Sequence, residues 1–229
     1  MQRNYPRNFI KRKLILFTVA CTLFNCSEQP QEEQANPPIG GQQQLEQQQE
    51  QEPGDEYGVL ESRLVAAGLV DIQSVDSMVL VDLKYSTTDN FVGVDVYGEL
   101  ESCYLQPEVA DMLSQAQQEL SRELPGHKLL LYDCVRPLSV QQILWDTLQK
   151  PEDIKHLYVA NPQEGSIHNY GSAVDLTIAD PQGQPLDMGT GYDFFGELAY
   201  PTKEQELLAS GMLTHEQVAN RELLRAVMS

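Results

Sequence analysis

Positive charge is what this 229-residue chain has least of: 15 Lys and Arg stand against 34 Asp and Glu, giving a net charge of −19 at pH 7. So acidic a chain repels phosphate backbones and anionic headgroups, which argues against nucleic acid as a partner. Nucleotide-cradling patterns are also missing: there is no P-loop, no G-x-G-x-x-G and no internal repeat. Long apolar runs are absent apart from LILFTVACTLF, residues 14–24. That run is shorter than the roughly 20 residues a spanning helix needs. Cysteine and histidine are scarce, with four of each, so any metal chemistry has few side chains to draw on.

The apolar run follows Arg3, Arg7, Lys11, Arg12 and Lys13, and a basic segment before a short apolar core is the anatomy of a secretory signal. A short membrane anchor or a buried helix is the alternative. The run ends in LFNCS, which resembles a bacterial lipoprotein cleavage site, with residues 1–25 removed and Cys26 acylated. Cys21, with a shorter apolar core before it, and ordinary cleavage are the competing outcomes. Loss of the first 25 residues removes five cations and takes the charge from −19 to −24. Residues 26–57 are rich in Gln, Glu and Pro and nearly devoid of apolar side chains. Such a segment cannot bury enough surface to offset its ordering entropy, so it reads as a solvated tether. The expected location is an exported, lipid-anchored protein on the periplasmic side of a bacterial envelope.

Residues 58–229 are long enough for one domain with a proper core. Cys103 and Cys134 lie within it. An even pair in an exported protein favours a disulfide, worth about 3–4 kcal/mol through loop closure, with a buried reduced pair as the alternative. Helical spacing covers 60–70, 107–124 and 140–148, the last capped by Ser139, and a Thr214/Gln217 capping box opens another helix through Val227. Strand patterns cover 77–85, 128–134 and 174–178, the last closed by the turn at 180–183. Few strands and no regular alternation with helices predict an α+β fold, a small central antiparallel sheet flanked by helices.

The stretch SIHNYGSAVDLTI places His168 and Asp175 at either end of a Gly-Ser-Ala run that leads into a strand. Imidazole and carboxylate both suit zinc, and a loop entering a strand can aim both at one point. The spacing alone also fits a surface histidine beside a strand-edge aspartate. Small residues keep the space between the two clear, and a carboxylate inside an apolar strand pattern needs a partner. Arg136, in DCVRP after a leucine-rich strand, suits binding a carboxylate or a developing oxyanion, although a lone arginine more commonly ends in a surface ion pair.

Several stretches, LKYSTTDNFVG, YLQPEVADML, LLLYDCVRPLSVQQ, VANPQEGSIHNYGSAVDLTI, LDMGTGYDFFGE and NRELLRAVM, occur in that order. Together they resemble the zinc D-alanyl-D-alanine dipeptidases of the VanX type, related to zinc D,D-carboxypeptidases and to the hedgehog fold. The resemblance implies one Zn²⁺ per chain, with His168 and Asp175 as two of its three ligands and Arg136 as the transition-state stabiliser. It implies that Tyr85, Ser166 and Asp193 line the substrate site, Asp193 holding the dipeptide's free ammonium. It also places a Cys103–Cys134 staple between the segment before the 107–124 helix and the strand leading to Arg136.

In that family a Glu-Trp-Trp-His motif follows NR-x-LL-x-x-x-M and supplies the third ligand and the general base. Neither residue occurs in this sequence, whose single tryptophan is Trp145 and whose His215 sits in a solvent-facing helix start. The expectation is therefore a C-terminally truncated catalytic domain. The expected activity is hydrolysis of D-Ala-D-Ala or related wall peptides. The alternatives are a D,D-carboxypeptidase or endopeptidase on peptidoglycan stem peptides, and a catalytically dead wall-peptide-binding lipoprotein.

Overall fold

The computed structural model describes residues 58–229. The signal, Cys26 and the tether lie outside the described residues. In chain order the elements are helix α1 (Gly58–Ala66), strand β1 (Val70–Asp71), helix α2 (Ile72–Val75), strand β2 (Leu80–Val81) and strand β3 (Tyr104–Leu105). Helix α3 (Pro107–Glu123), strand β4 (Lys128–Asp133), helix α4 (Leu138–Thr147) and helix α5 (Glu152–Lys155) follow. Strand β5 (Asp175–Ala179), helix α6 (Glu204–Ala209) and helix α7 (His215–Val227) complete the chain. Among the described residues no helix is long and apolar enough to cross a membrane.

β4 is the central strand of a three-stranded sheet ordered β2-β4-β5. Its sequence KLLLYD is apolar on both faces because Leu129, Leu130 and Leu131 are all buried, as expected of a strand covered on both sides. β4 and β5 run antiparallel, but β2 pairs with β4 in parallel. The small sheet flanked by helices is therefore present, and its expected all-antiparallel pairing is corrected to mixed. A separate antiparallel pair joins β1 to β3.

α3 begins with Pro107 in its first turn and buries Ala110, Leu113, Ala116, Gln117 and Leu120. These positions form one stripe at helical spacing. Gln117 is 1% exposed and joins the helix to the sheet: its Oε1 accepts from the Leu129 amide at 2.7 Å and its Nε2 donates to the His127 carbonyl at 3.2 Å. The Thr214 capping box that opens α7 is formed in both directions.

Two boundaries differ from the sequence pattern. The strand expected over 77–85 shrinks to Leu80–Val81, because from Lys84 the chain winds into a 3₁₀ turn, Lys84–Ser86, that drives Tyr85 inward. The Asn90 amide holds that excursion by donating to the Lys84 and Val94 carbonyls, at 3.0 and 3.1 Å. The helix expected from Val140 starts at Leu138 instead. Pro137 is its N-cap, and Ser139 lies inside the helix without a capping bond.

Candidate active site

The C-terminal end of β4 and the start of β5 meet at an irregularity in the ladder. Register is regular to Leu131↔Leu176, then shifts so that Asp133 pairs with Asp175. Bulges of this kind re-aim side chains beside functional sites, and here two carboxylates face one region. The 3₁₀ turn Ile167–Tyr170 supplies His168. Ser166 is its N-cap, accepting from the His168 amide at 3.3 Å and completing a capping box with Asn169. Gly171 closes the turn at φ 65°, a left-handed conformation that costs glycine nothing.

Three segments are bonded together around these residues. The Arg136 amide donates to the His168 carbonyl at 3.0 Å, and the Asn169 side chain donates to the Arg136 carbonyl at 2.8 Å. The Val135 amide donates to Tyr104, and the Gln106 amide donates to Gly171. The Cys103–Cys134 disulfide, with Cα atoms 5.5 Å apart, joins the same segments covalently.

His168 Nδ1 lies 2.9 Å from the Cys134 carbonyl oxygen. A carbonyl only accepts, so Nδ1 carries the proton and the lone pair of neutral His168 sits on Nε2. Nε2 in turn is 3.6 Å from Asp175 Oδ1. Two atoms bound to one tetrahedral ion at about 2.0–2.2 Å lie roughly 3.4 Å apart, so this pair fits a shared cation. Asp133, His168 and Asp175 together form a cluster with metal-ligand chemistry. Asp133, however, has no lone pair left to offer. Its Oδ1 accepts from Tyr97 Oη and the Cys134 amide, and its Oδ2 accepts from Arg136 Nε and Nη2. Four donors fill the roughly four acceptor sites of a carboxylate. Asp133 also lies on the Nδ1 side of His168, at 3.4 Å, away from Nε2. It organises the site, while His168 Nε2 and Asp175 Oδ1 are the atoms placed to share an ion.

Arg136 is 8% exposed. Besides Asp133 it donates from Nη1 to Gln141 Oε1 at 3.0 Å, approaches Asp175 Oδ2 at 3.4 Å, and stacks over the Tyr85 ring at 5.4 Å. Burial opposes its charge, but the Asp133 carboxylate outweighs that and holds its pKa above the ordinary arginine value. Arg136 is thus a fixed cation at the cleft, and the surface ion pair offered as an alternative from sequence is ruled out.

Across the cleft, Tyr85 Oη donates to Asp193 Oδ2 at 2.9 Å. Asp193 is the one non-glycine among the described residues with positive φ, at 55°. Strain of that kind persists only where the surroundings over-determine it. Burial raises its carboxyl to about 6, with the Tyr85 hydrogen bond opposing. A cleft of about 1100 Å³ is lined by Tyr85, Arg136, Ser166, His168, Asp175 and Asp193. All six site residues expected from sequence therefore meet in one cavity.

Asp175 differs from expectation in its surroundings. It is the first residue of β5 and its side chain is 38% exposed, rather than enclosed in an apolar strand. Four organising residues escaped the sequence reading: Tyr97, Asp133, Gln141 and Tyr192. A signal existed for Asp133, a carboxylate ending an apolar strand that burial would force to pair. Nothing in the local sequence distinguishes the others. Tyr192 Oη donates to Asp175 Oδ2 at 3.2 Å, and burial followed by Asp175 raises its pKa, so it remains a phenol.

With the geometry established, comparison with known proteins gives a consistent result. The sequence profile described as D-ala-D-ala dipeptidase, Peptidase_M15, matches residues 65–229. A D-alanyl-D-alanine dipeptidase of Escherichia coli (strain K12) is 33% identical over 132 residues, 58% of this chain and 64% of the relative. One from Enterococcus faecalis (strain ATCC 700802 / V583) is 31% identical over 162 residues, covering 64% of this chain and 76% of the relative. One from Enterococcus faecium is 30% identical over 165 residues, with the same coverage. The chain thus spans less than two thirds of the Escherichia coli relative.

Proposed function

The chain belongs to the D-Ala-D-Ala dipeptidase family, Peptidase_M15, and from that premise we propose that it is a zinc hydrolase of free D-Ala-D-Ala. His168 Nε2 and Asp175 Oδ1 would supply two of the protein donors to one Zn²⁺ per chain. When bound, zinc supplies a Lewis acid that polarises the scissile carbonyl and makes water nucleophilic near neutral pH.

The chain's own residues divide the remaining work. Arg136, fixed by Asp133 and Gln141, offers its guanidinium to the oxygen that gains charge as the carbonyl is attacked. Asp193, oriented by Tyr85, would take the substrate ammonium and so disfavour substrates with a residue before it. Ser166 holds the His168 turn in place and presents its own polar edge to the cleft. The observation that carries the proposal is this convergence: a paired His and Asp, a buried arginine and a strained carboxylate share one cavity. The D,D-carboxypeptidase and the inactive binding protein differ from it at Asp193 and at turnover respectively.

The test is release of D-alanine by the zinc-loaded chain, with Arg136→Ala alongside. Arg136→Ala is expected to lower kcat by about 10²–10³ when both proteins are compared per bound zinc, the usual effect of removing an oxyanion donor. Equal rates in the two proteins would remove Arg136 from the mechanism. Export and acylation at Cys26 complete the proposal, with labelled palmitate incorporated by the native chain and not by Cys26→Ala.

A further inference from the structure

Asp175 has two oxygens in unlike surroundings. Oδ1 faces His168 Nε2 at 3.6 Å. Oδ2 receives Tyr192 Oη at 3.2 Å and Arg136 Nη2 at 3.4 Å. The longer contact comes from a guanidinium whose Nε and Nη2 already serve Asp133. Tyr192 therefore makes the closer bond that fixes the rotation of this carboxylate. Because the Asp175 side chain is 38% exposed, packing alone does not lock it.

Tyr192 itself is well held. Its ring lies 5.3 Å from Tyr132 and 5.8 Å, edge-on, from Tyr85. The left-handed backbone of the next residue sends Asp193 to Tyr85 while Tyr192 reaches Asp175. One strained turn thus serves both ends of the cleft.

We propose that Tyr192 is a positioning residue for the metal centre, its hydroxyl engaging Asp175 Oδ2 so that Oδ1 alone is presented beside His168 Nε2. Removing that hydroxyl leaves Asp175 free to rotate toward solvent or to turn both oxygens toward Arg136. Either movement weakens the site for a divalent cation and draws the guanidinium off its aim. The inference rests on the assignment of His168 and Asp175 as zinc ligands.

The test is equilibrium competition for Zn²⁺ against a chromophoric chelator, using the full chain, Tyr192→Phe and His168→Ala. Tyr192→Phe keeps the ring, so the metal-free variant should melt with the wild type. Its zinc affinity should fall by about tenfold or more, the usual effect of losing an outer partner of a ligand. The cobalt-substituted variant should also show shifted ligand-field bands. If Tyr192→Phe matches wild type in affinity and spectrum while His168→Ala loses the ion, the positioning role is wrong and the zinc assignment stands. If His168→Ala binds as the wild type does, the zinc assignment falls and the role of Tyr192 falls with it.

Discussion

Asp133 shows how much one side chain can decide. It is fully buried, holds Arg136 with one oxygen, and takes Tyr97 and the Cys134 amide with the other. Removing one partner of a buried ion pair leaves an uncompensated charge and costs about 3–5 kcal/mol. Asp133→Leu should therefore lower stability by that order in a denaturant titration, whereas Asp133→Asn, which keeps an acceptor for Arg136, should lose less. Asp193 presents the opposite case. Its carboxyl is raised to about 6, so the folded state holds its proton more tightly than the unfolded chain does. Ionisation of Asp193 therefore costs stability above that pH, and the cost vanishes below the ordinary aspartate range near 4. Asp193→Asn should accordingly raise the melting temperature at neutral pH while weakening dipeptide binding. In the wild type, KM should rise as pH falls through about 6, because the carboxylate that meets the ammonium becomes neutral; a KM independent of pH there would exclude Asp193 from substrate binding.

At the scale of elements, the periodic stretches were the legible ones. α3 and α7 were readable because a stripe of leucine, alanine and valine at helical spacing is its own signature, and Pro107 and Thr214 mark where each begins. β4 was readable from its leucine run. β2 was readable in place but not in length, since the extent of a two-residue strand is set by pairing with Leu130 and Leu131 rather than by its own pattern. The same long-range cause hid the parallel direction of that pair. The disulfide was legible from an even cysteine pair once export was expected. It closes a span of 31 residues, so Cys103→Ser with Cys134→Ser should cost about 3–4 kcal/mol by loop-closure entropy, read as a shift in denaturant midpoint. A shift near zero would mean the backbone bonds among the three welded segments suffice without it. Gly171 is a second element-scale test. An added Cβ would meet Leu69 at 3.0 Å and the backbone of Gln106 and Leu105 at 3.3 Å, in left-handed backbone. Gly171→Ala should destabilise the fold and disturb His168 in the same turn.

For the molecule as a whole, the site was more legible than the sheet. His168, Asp175 and Arg136 were named from short motifs and Tyr85, Ser166 and Asp193 from the family resemblance, and all six line one cleft. What motifs could not convey was the support beneath them. Tyr97 and Gln141 reach Arg136 through Asp133 or directly, from a loop and a helix distant from one another in sequence. Such convergence is a product of the fold and leaves no local mark. The central claim joins Asp193 to the metal centre in a single activity, cleavage of dipeptides with a free amino terminus. The decisive measurement is therefore the rate of D-alanine release from D-Ala-D-Ala and from its N-acetylated form by the zinc-loaded chain. The account predicts turnover of the free dipeptide and at least about a hundredfold slower cleavage of the acylated one, the scale expected when a half-buried carboxylate loses its ammonium partner. Equal rates, or preference for the acylated substrate, would contradict it in favour of a D,D-carboxypeptidase. Binding of the dipeptide without release of D-alanine would contradict it in favour of a binding protein.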